Sequence, residues 1–202
     1  IDNDFIGDFY SVRSEAGQYL PSWRDKDYRK TVSAKKSLGG GVLLELSHEL
    51  DYLRWIFGDI EFVQAQLSRQ STLDIDVEDT VHTILTFKKN YKNINLIGSL
   101  SLDFIRHDKV RICHVIGDKG SLRWNGLTGD IDLFELNSTG WKNIYKDKVN
   151  LDQSYKEEWL HFIECINKKE YSKISFQDGI EVLNIIDSIK KASSSGKRVK
   201  VK

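Results

Sequence analysis

Six short segments in which apolar and polar residues alternate place the strongest constraint on the fold of this chain. They cover residues 60–69, 80–88, 93–102, 110–117, 121–125 and 131–136, and turn-forming residues separate them at Asn90, Asp118-Lys119-Gly120, Asn125-Gly126 and Ser138-Thr139-Gly140. Alternation with a period of two is typical of a strand that buries one face, and short turns of this kind join neighbouring strands into hairpins. The sequence therefore predicts a large, open, mostly antiparallel sheet that can pack helices on one face.

Two helices are predicted after the last of these segments. Ser154 and Glu157 have the spacing of a capping box, and so do Ser175 and Asp178. Each box precedes a stripe of apolar residues at helical spacing, Trp159, Phe162, Ile163 and Ile166 in the first case and Ile180, Leu183, Ile186 and Ile189 in the second. We interpret both as packing helices.

Residues 5–15 and 197–202 also alternate between apolar and polar side chains. They are predicted to form a first strand and a short last strand, so the fold class is α+β.

The stretch 39–58 combines a flexible backbone with a strong helix signal. Gly39, Gly40 and Gly41 precede apolar residues at spacings of three and four, and Gly58 follows them. The pattern predicts one amphipathic helix over residues 42–57 that ends at Gly58. No Ser, Thr, Asp or Asn stands in the three positions before Val42, so we expect the first N–H groups of this helix to be open to a ligand or a neighbouring domain.

Three titratable residues follow one another on this predicted helix in steps of three: Glu45, His48 and Asp51. Residues at that spacing lie about one turn apart, so an imidazole would stand between two carboxylates. A carboxylate at one ring nitrogen sets the tautomer and leaves the other nitrogen to accept or donate a proton, which is the apparatus of general acid/base catalysis. The alternative is a solvated polar face or a structural ion pair.

The irregular segment 18–36 is rich in aromatic and basic residues. Tyr19, Trp23 and Tyr28 offer flat faces that suit a sugar ring, and Arg24 and Arg29 offer a fork that suits a carboxylate or phosphate. Because the segment leads directly into the glycines, we expect it to lie near His48. The alternative is a connector whose aromatic side chains pack locally.

The glycine triplet, three apolar residues, an acidic residue, and then His-Glu-Leu-Asp and Leu-Arg-Trp resemble the signature of one enzyme family. It is the glucose-fructose oxidoreductase/inositol dehydrogenase (Gfo/Idh/MocA) family of NAD(P)-dependent enzymes. The resemblance spans the whole chain and implies its C-terminal domain, a dihydrodipicolinate-reductase-like α+β domain whose open sheet face meets another subunit. A homodimer or homotetramer is the corresponding expectation.

The resemblance also implies roles for individual residues. His48 would be the acid/base, Glu45 its acidic partner and Asp51 a ligand of a substrate hydroxyl, while Gly40 and Gly41 would lie against the nicotinamide. Many family members carry Asp four positions before the His, whereas this chain carries Glu at three. The substrate would be a sugar, a sugar derivative or a polyol, and the cofactor would be NAD or NADP.

Composition excludes several other classes of function. Thirty basic and thirty acidic residues cancel, which argues against nucleic acid and anionic membranes as partners. Cys113 and Cys165 match no metal or redox spacing, so reduced thiols in the cytoplasm are expected. No Gly-x-Gly-x-x-Gly fingerprint follows a strand and the chain has no Met. We therefore expect residues 1–202 to be one substrate-binding and oligomerisation domain of a longer two-domain enzyme, inactive without its Rossmann domain.

The remaining histidines and the function class leave alternatives open. His82 and His114 lie on predicted strands, and we interpret them as structural; we expect a local polar contact for His161. Arg106 and His107 are weaker candidates for substrate contact. A non-catalytic regulatory or scaffold protein that uses the same fold for ligand binding and oligomerisation is the second hypothesis.

Overall fold

The computed structural model describes residues 4–89, 95–146 and 151–202. Nine described strands form one sheet in the order β8-β7-β6-β5-β1-β4-β3-β2-β9. Their bounds are β1 Phe9–Gly17, β2 Ile60–Ser68, β3 Thr80–Lys89, β4 Asn95–Asp103, β5 Val110–Gly117, β6 Gly120–Asn125, β7 Ile131–Glu135, β8 Lys142–Tyr145 and β9 Val199–Lys200. The helices are α1 Val42–Glu45, α2 His48–Phe57, α3 Leu151–Lys168 and α4 Phe176–Ser195. The predicted α+β class, with an open and mostly antiparallel sheet, is confirmed.

The first strand lies in the middle of the sheet. β1 pairs antiparallel with β5 and parallel with β4, and every other pairing among the described strands is antiparallel. The register sets Ala16 opposite Arg111 on one side and Leu102 on the other. The ends of β1 and β4 and the start of β5 therefore meet at one end of the sheet, and α2 begins near that end.

One face of the sheet is covered by helices and the other is open. On β3 the buried side chains Val81, Leu85 and Phe87 alternate with exposed His82 and Ile84. The buried set packs with the apolar residues of α2 and α4, among them Leu50, Leu53, Ile185, Ile186 and Ile189. The alternation in the sequence therefore corresponds to the two faces of the sheet, and the apolar residues face the helices.

Most strand predictions are confirmed within about two residues, but one strand begins later than predicted and another was not predicted. β1 begins at Phe9 rather than at residue 5, because the backbone at Gly7 has φ of 65°, which is not an extended conformation. β8 was not predicted, since it has four residues of which three are exposed. The predicted turn at Asn90 and the predicted strand residues 93–94 lie outside the described residues.

The two long helices begin differently. α4 begins after the predicted capping box, in which the Ser175 Oγ accepts from the Asp178 N–H and the Asp178 carboxylate accepts from the Ser175 N–H. α3 begins at Leu151, before Ser154, so the prediction that Ser154 opens it is wrong. Its apolar residues are also exposed rather than packed, namely Trp159, Phe162, Ile163 and Ile166. None of the described helices combines the length and apolar composition that crossing a bilayer requires.

Candidate active site

The glycine triplet forms a bend that only glycine accommodates easily. Gly39 and Gly41 have φ of 80° and 111°, a region that other residues rarely adopt. A Cβ on Gly40 would lie 2.2 Å from the carbonyl oxygen of Val32. Since the Gly40 N–H donates to Lys35 O at 2.9 Å and the Gly41 N–H to Ser33 O at 3.1 Å, the bend is held by the preceding loop.

The chain after the bend forms two helices, so the predicted single helix over residues 42–57 is wrong. α1 ends at Glu45, and Leu46 departs from helical geometry with φ −104° and ψ 25°. The Glu49 N–H donates to Leu46 O at 3.0 Å, which starts α2 as a separate element. A step of three residues from Glu45 to His48 therefore spans the break and does not correspond to one helical turn.

The first N–H groups of α1 are already bonded. Val42 N–H donates to the backbone oxygen of Glu78 at 3.2 Å, and Leu43 N–H donates to the Glu78 Oε1 at 3.2 Å. The expectation that these groups are open to a ligand is therefore wrong. Glu78 precedes β3 and is thirty-five positions from Leu43, so the residues around Val42 could not predict this cap. Contact of Gly40 and Gly41 with a cofactor stays a prediction.

His48 is the first residue of α2, and a buried carboxylate lies beside it. Its side chain is 52% exposed, and its Nε2 lies 3.3 Å from the Oε1 of Glu49, whose side chain is 0% exposed. The same Oε1 accepts a hydrogen bond from the Nε of Arg111 at 2.7 Å. Within the described residues, no hydrogen bond or ion pair joins His48 to Glu45 or to Asp51. The roles of Glu45 and Asp51 stay predictions.

Sequence reasoning missed Glu49 because residues at i and i+1 do not face each other along a regular helix. His48 stands at the first position of α2, where no preceding turn of the same helix flanks its ring. The signal that could have found Glu49 is its place beside the buried Leu50 and three residues after the buried Leu46, where an acidic residue requires a buried partner.

A cluster of aromatic and polar side chains surrounds the Glu49–Arg111 pair. The Arg111 guanidinium lies 5.2 Å from the ring centroid of Trp124, which packs edge-on to Tyr52 at 5.4 Å. The Tyr52 hydroxyl lies 2.7 Å from the Ser14 Oγ. Burial raises the pKa of the Tyr52 hydroxyl, and burial raises the pKa of the Cys113 thiol to about 12. Tyr52 and Cys113 therefore remain neutral beside the pair at physiological pH.

The aromatic residues of the loop before the glycines pack locally. The Tyr19 ring lies 4.3 Å from the ring of His107, and Trp23 lies 5.7 Å from Phe104. The Tyr28 hydroxyl accepts from the Asp74 N–H at 3.2 Å. The crevice between Trp23 and Tyr28 has a volume of about 10 Å³, which holds at most a water molecule. This geometry favours local packing over an open sugar platform at Trp23 and Tyr28.

The two arginines of that loop differ in their contacts. Arg29 forms a two-point ion pair with Asp27, at 2.7 Å from Nε and 2.9 Å from Nη2, and this pairing raises the pKa of Arg29. The exposed Arg24 lies over the ring of Trp23 at 5.6 Å from its centroid. Substrate contact by Tyr19, Trp23, Arg24, Tyr28 and Arg29 stays a prediction, and of the two arginines Arg24 has the freer guanidinium.

Sheet register brings the loop and His48 to the same end of the sheet. Gly17, at the end of β1, pairs with Val110 and Asp103, and Arg111 follows Val110. Tyr19 lies two residues after the end of β1 and His107 lies four residues after the end of β4. Arg106 pairs with Glu15 at 2.8 Å. The exposed ring of His107 and the half-exposed ring of His48 are therefore presented at one end of the molecule.

The other histidines have structural contacts. His82 Nδ1 lies 3.0 Å from the Ser101 Oγ, and His161 Nε2 accepts from the Lys173 N–H at 3.2 Å. Burial, with Arg123 and Arg13 nearby, lowers the pKa of His114. Among the residues that the structure describes, no group of three or more His, Cys, Asp or Glu side chains could hold a metal ion.

Several solved structures share the fold of this chain. Levoglucosan dehydrogenase in complex with NADH matches with a TM-score of 0.84 at 20% identity, over 100% of this chain and 60% of that one. Its complex with NADH and L-sorbose matches with a TM-score of 0.85 at 19% identity, over 100% and 61%. Aldose-aldose oxidoreductase from Caulobacter crescentus, complexed with glycerol, matches with a TM-score of 0.80 at 19% identity, over 98% of this chain and 57% of that one.

The family model for the C-terminal alpha/beta domain of the oxidoreductase family matches residues 1–201. The chain therefore belongs to this family and corresponds to that domain. The resemblance to the glucose-fructose oxidoreductase/inositol dehydrogenase family is thereby confirmed. The chain spans about three fifths of the length of the solved structures it matches. No curated protein sequence matches it significantly.

Proposed function

We propose that this chain is the substrate-binding and oligomerisation domain of an NAD(P)-dependent oxidoreductase acting on a sugar, a sugar derivative or a polyol. The observation that carries the proposal is the half-exposed imidazole of His48 at the start of α2, beside the buried carboxylate of Glu49. An imidazole that is open to solvent on one side and backed by a carboxylate on the other is suited to move a proton near neutral pH.

In the proposed reaction His48 transfers the proton and the nicotinamide transfers the hydride. In alcohol oxidation His48 accepts the hydroxyl proton as the C–O bond becomes a carbonyl, and in the reverse direction it returns that proton to the carbonyl oxygen. NAD or NADP supplies the chemistry of accepting or donating the hydride. Asp51, in the first turn of α2, would accept a hydrogen bond from a second substrate hydroxyl.

The residues present fit a cofactor only in part. The uncharged Gly39–Gly41 bend is compatible with a nicotinamide ring beside it, at Gly40 and Gly41. The phosphates of a dinucleotide require a glycine-rich turn at a helix N-terminus, but the first N–H groups of α1 are capped by Glu78. The proposal therefore assigns most of cofactor binding to an N-terminal Rossmann domain of the same polypeptide.

Three exposed apolar regions support further packing partners. An apolar groove of about 500 Å³ includes Phe5, Trp55 and Tyr145, and the apolar face of α3 is also exposed. Exposed apolar surface of this extent is typical of interaction sites, and a neighbouring domain is the occupant that the proposal predicts. On the open sheet face Ile84 and Ile97 are exposed, which supports a homodimer or homotetramer through that face.

Replacement of His48 by Ala in the full-length protein tests the acid/base assignment. The variant should lose most of its hydride transfer between nicotinamide and a panel of sugars and polyols, while cofactor binding measured by fluorescence stays unchanged. A variant that turns over at the wild-type rate would contradict the assignment. Because the exposed side chain contributes little to packing, its loss should leave the fold intact.

A non-catalytic regulatory or scaffold protein that uses the same fold for ligand binding and oligomerisation is the second candidate, and the exposed apolar side chains of α3 and of the open sheet face are compatible with it. The two candidates differ in one measurement. A non-catalytic protein would bind a sugar by calorimetry without any change in nicotinamide absorbance, whereas an enzyme would change it.

A further inference from the structure

Glu49 is a buried acidic residue whose contacts leave one oxygen unused. Its Oε1 accepts from Arg111 and approaches His48, but its Oε2 is buried without a hydrogen-bond partner among the described residues. Buried polar atoms are usually satisfied, and an unsatisfied one calls for an explanation. Two groups in contact with this carboxylate retain donor capacity, the guanidinium of Arg111, which has five N–H donors, and the imidazole of His48. Of the two, the imidazole is the proposed acid/base.

We propose that Glu49, rather than Glu45, is the positioning residue for His48; this inference rests on the proposed acid/base function. Nε2 of His48 lies 3.3 Å from Glu49 Oε1, and in the proposed arrangement the ring turns slightly so that the Nε2–H donates to this carboxylate. Such bonds are often loose before substrate binds and tighten in the complex. The neutral ring then carries its proton on Nε2 and presents the lone pair of Nδ1 to the substrate.

The carboxylate also stabilises the charged ring that forms during the reaction. When Nδ1 takes the hydroxyl proton, the imidazolium lies against a negative charge that is shielded from solvent, where electrostatic attraction is stronger than in water. Glu49 is fully buried, so it acts through His48 and does not touch the substrate.

Arg111 holds Glu49 in place. Its Nε donates to Glu49 Oε1 at 2.7 Å, a charge-assisted hydrogen bond that fixes the orientation of the carboxylate. Arg111 is itself fixed over the Trp124 ring. The pair is separated by sixty-two positions in sequence and therefore links the start of α2 to the start of β5.

A purely structural Glu49–Arg111 ion pair is the alternative, and kinetics separate the two. In the full-length protein, Glu49→Gln should lower kcat about 10–100-fold, the range typical of lost outer-shell partners, with KM within about twofold of wild type. Glu157→Gln makes the same chemical change at an exposed position of α3 and should leave both constants unchanged. A Glu49→Gln variant that folds and keeps the wild-type kcat would overturn the positioning role.

A spectroscopic measurement tests the tautomer without any turnover. In the full-length protein labelled with ¹⁵N-histidine, the signal absent from His48→Ala identifies His48. We expect its neutral form to carry the proton on Nε2 in the wild type, and to populate both tautomers when Glu49 and Arg111 are replaced together by Met. A wild-type ring protonated on Nδ1 would overturn the proposal even if no Glu49 variant folds. Retained turnover in His48→Ala would instead refute the acid/base function, so the two failures are distinguishable.

Discussion

Arg54 Nη1 donates a hydrogen bond to Asp178 Oδ1 at 2.8 Å and thereby joins the last turn of α2 to the first turn of α4. Arg54 Nε also donates to Asp59 Oδ1 at 3.0 Å. The second oxygen of Asp178 accepts from the backbone N–H and the hydroxyl of Ser175. One carboxylate thus caps a helix and holds the helix that carries His48.

This network predicts that stability falls at acidic pH. The hydrogen bond from Arg54, with those from Ser175, holds the pKa of Asp178 well below its ordinary value of 3.8. The stabilisation is fully present above that ordinary value and is lost as the pH falls through the lower pKa of the folded state. Urea unfolding from pH 7 downward should show a loss of stability below about pH 4 in the wild type that is smaller in Asp178→Asn.

Asp187→Asn is the matched control for this pH dependence, because it makes the same change at an exposed position of the same helix. It should retain the acid-induced loss seen in the wild type. An Asp178→Asn variant whose stability falls with pH as steeply as that of the wild type would show that other carboxylates dominate.

The glycine bend predicts a sharp difference between two Gly→Ala substitutions. A Cβ on Gly40 would lie within 3 Å of three backbone oxygens, those of Val32, Ser33 and Lys35, whereas one on Gly140 would meet nothing within 4 Å. Backbone atoms cannot move aside as the end of a side chain can, so Gly40→Ala should cost about 1–3 kcal/mol of unfolding free energy. Gly140→Ala should lie within about 0.5 kcal/mol of wild type. Chemical denaturation measures both, and equal effects would contradict the close packing of the bend.

Cys113 is predicted to be unreactive in the native protein. Burial raises the pKa of its thiol to about 12, and the thiolate is the nucleophilic form. Iodoacetamide at pH 8 should therefore leave Cys113 unmodified in the folded protein and modify it in denaturant, as read by peptide mass spectrometry. Rapid modification under native conditions would show that β5 or α2 opens readily.

Two aromatic residues should differ in their contribution to the stability of this domain. Phe87 is 0% exposed and packs edge-on to Phe57 at 6.0 Å, so Phe87→Ala should cost about 3–5 kcal/mol. Trp159 on α3 is 63% exposed, so Trp159→Ala should change the unfolding free energy of this domain by less than about 0.5 kcal/mol. Thermal or urea unfolding of the 202-residue chain compares them. A large cost for Trp159→Ala would mean that α3 packs on its own domain.

Much of the sheet could be predicted because strand alternation is local. Val81, Leu85 and Phe87 recur every second or fourth residue and are buried together, and the Ser175–Asp178 box begins α4 where its spacing indicates. β8 was not predicted because a short, exposed strand at the edge of a sheet shows little alternation of apolar and polar residues in its sequence. The place of β1 between β4 and β5 was likewise not evident from its own residues.

The sequence by itself determined the fold class, the family and the presence of His48 beside a glycine bend, because periodicity and motif spacing are properties of neighbouring residues. Tertiary structure decided which carboxylate contacts that ring. Glu49 is oriented by Arg111, and α1 is capped by Glu78, in contacts that span sixty-two and thirty-five positions. Interaction energies depend on distance in space, and no local pattern encodes which remote side chain will lie within hydrogen-bond distance.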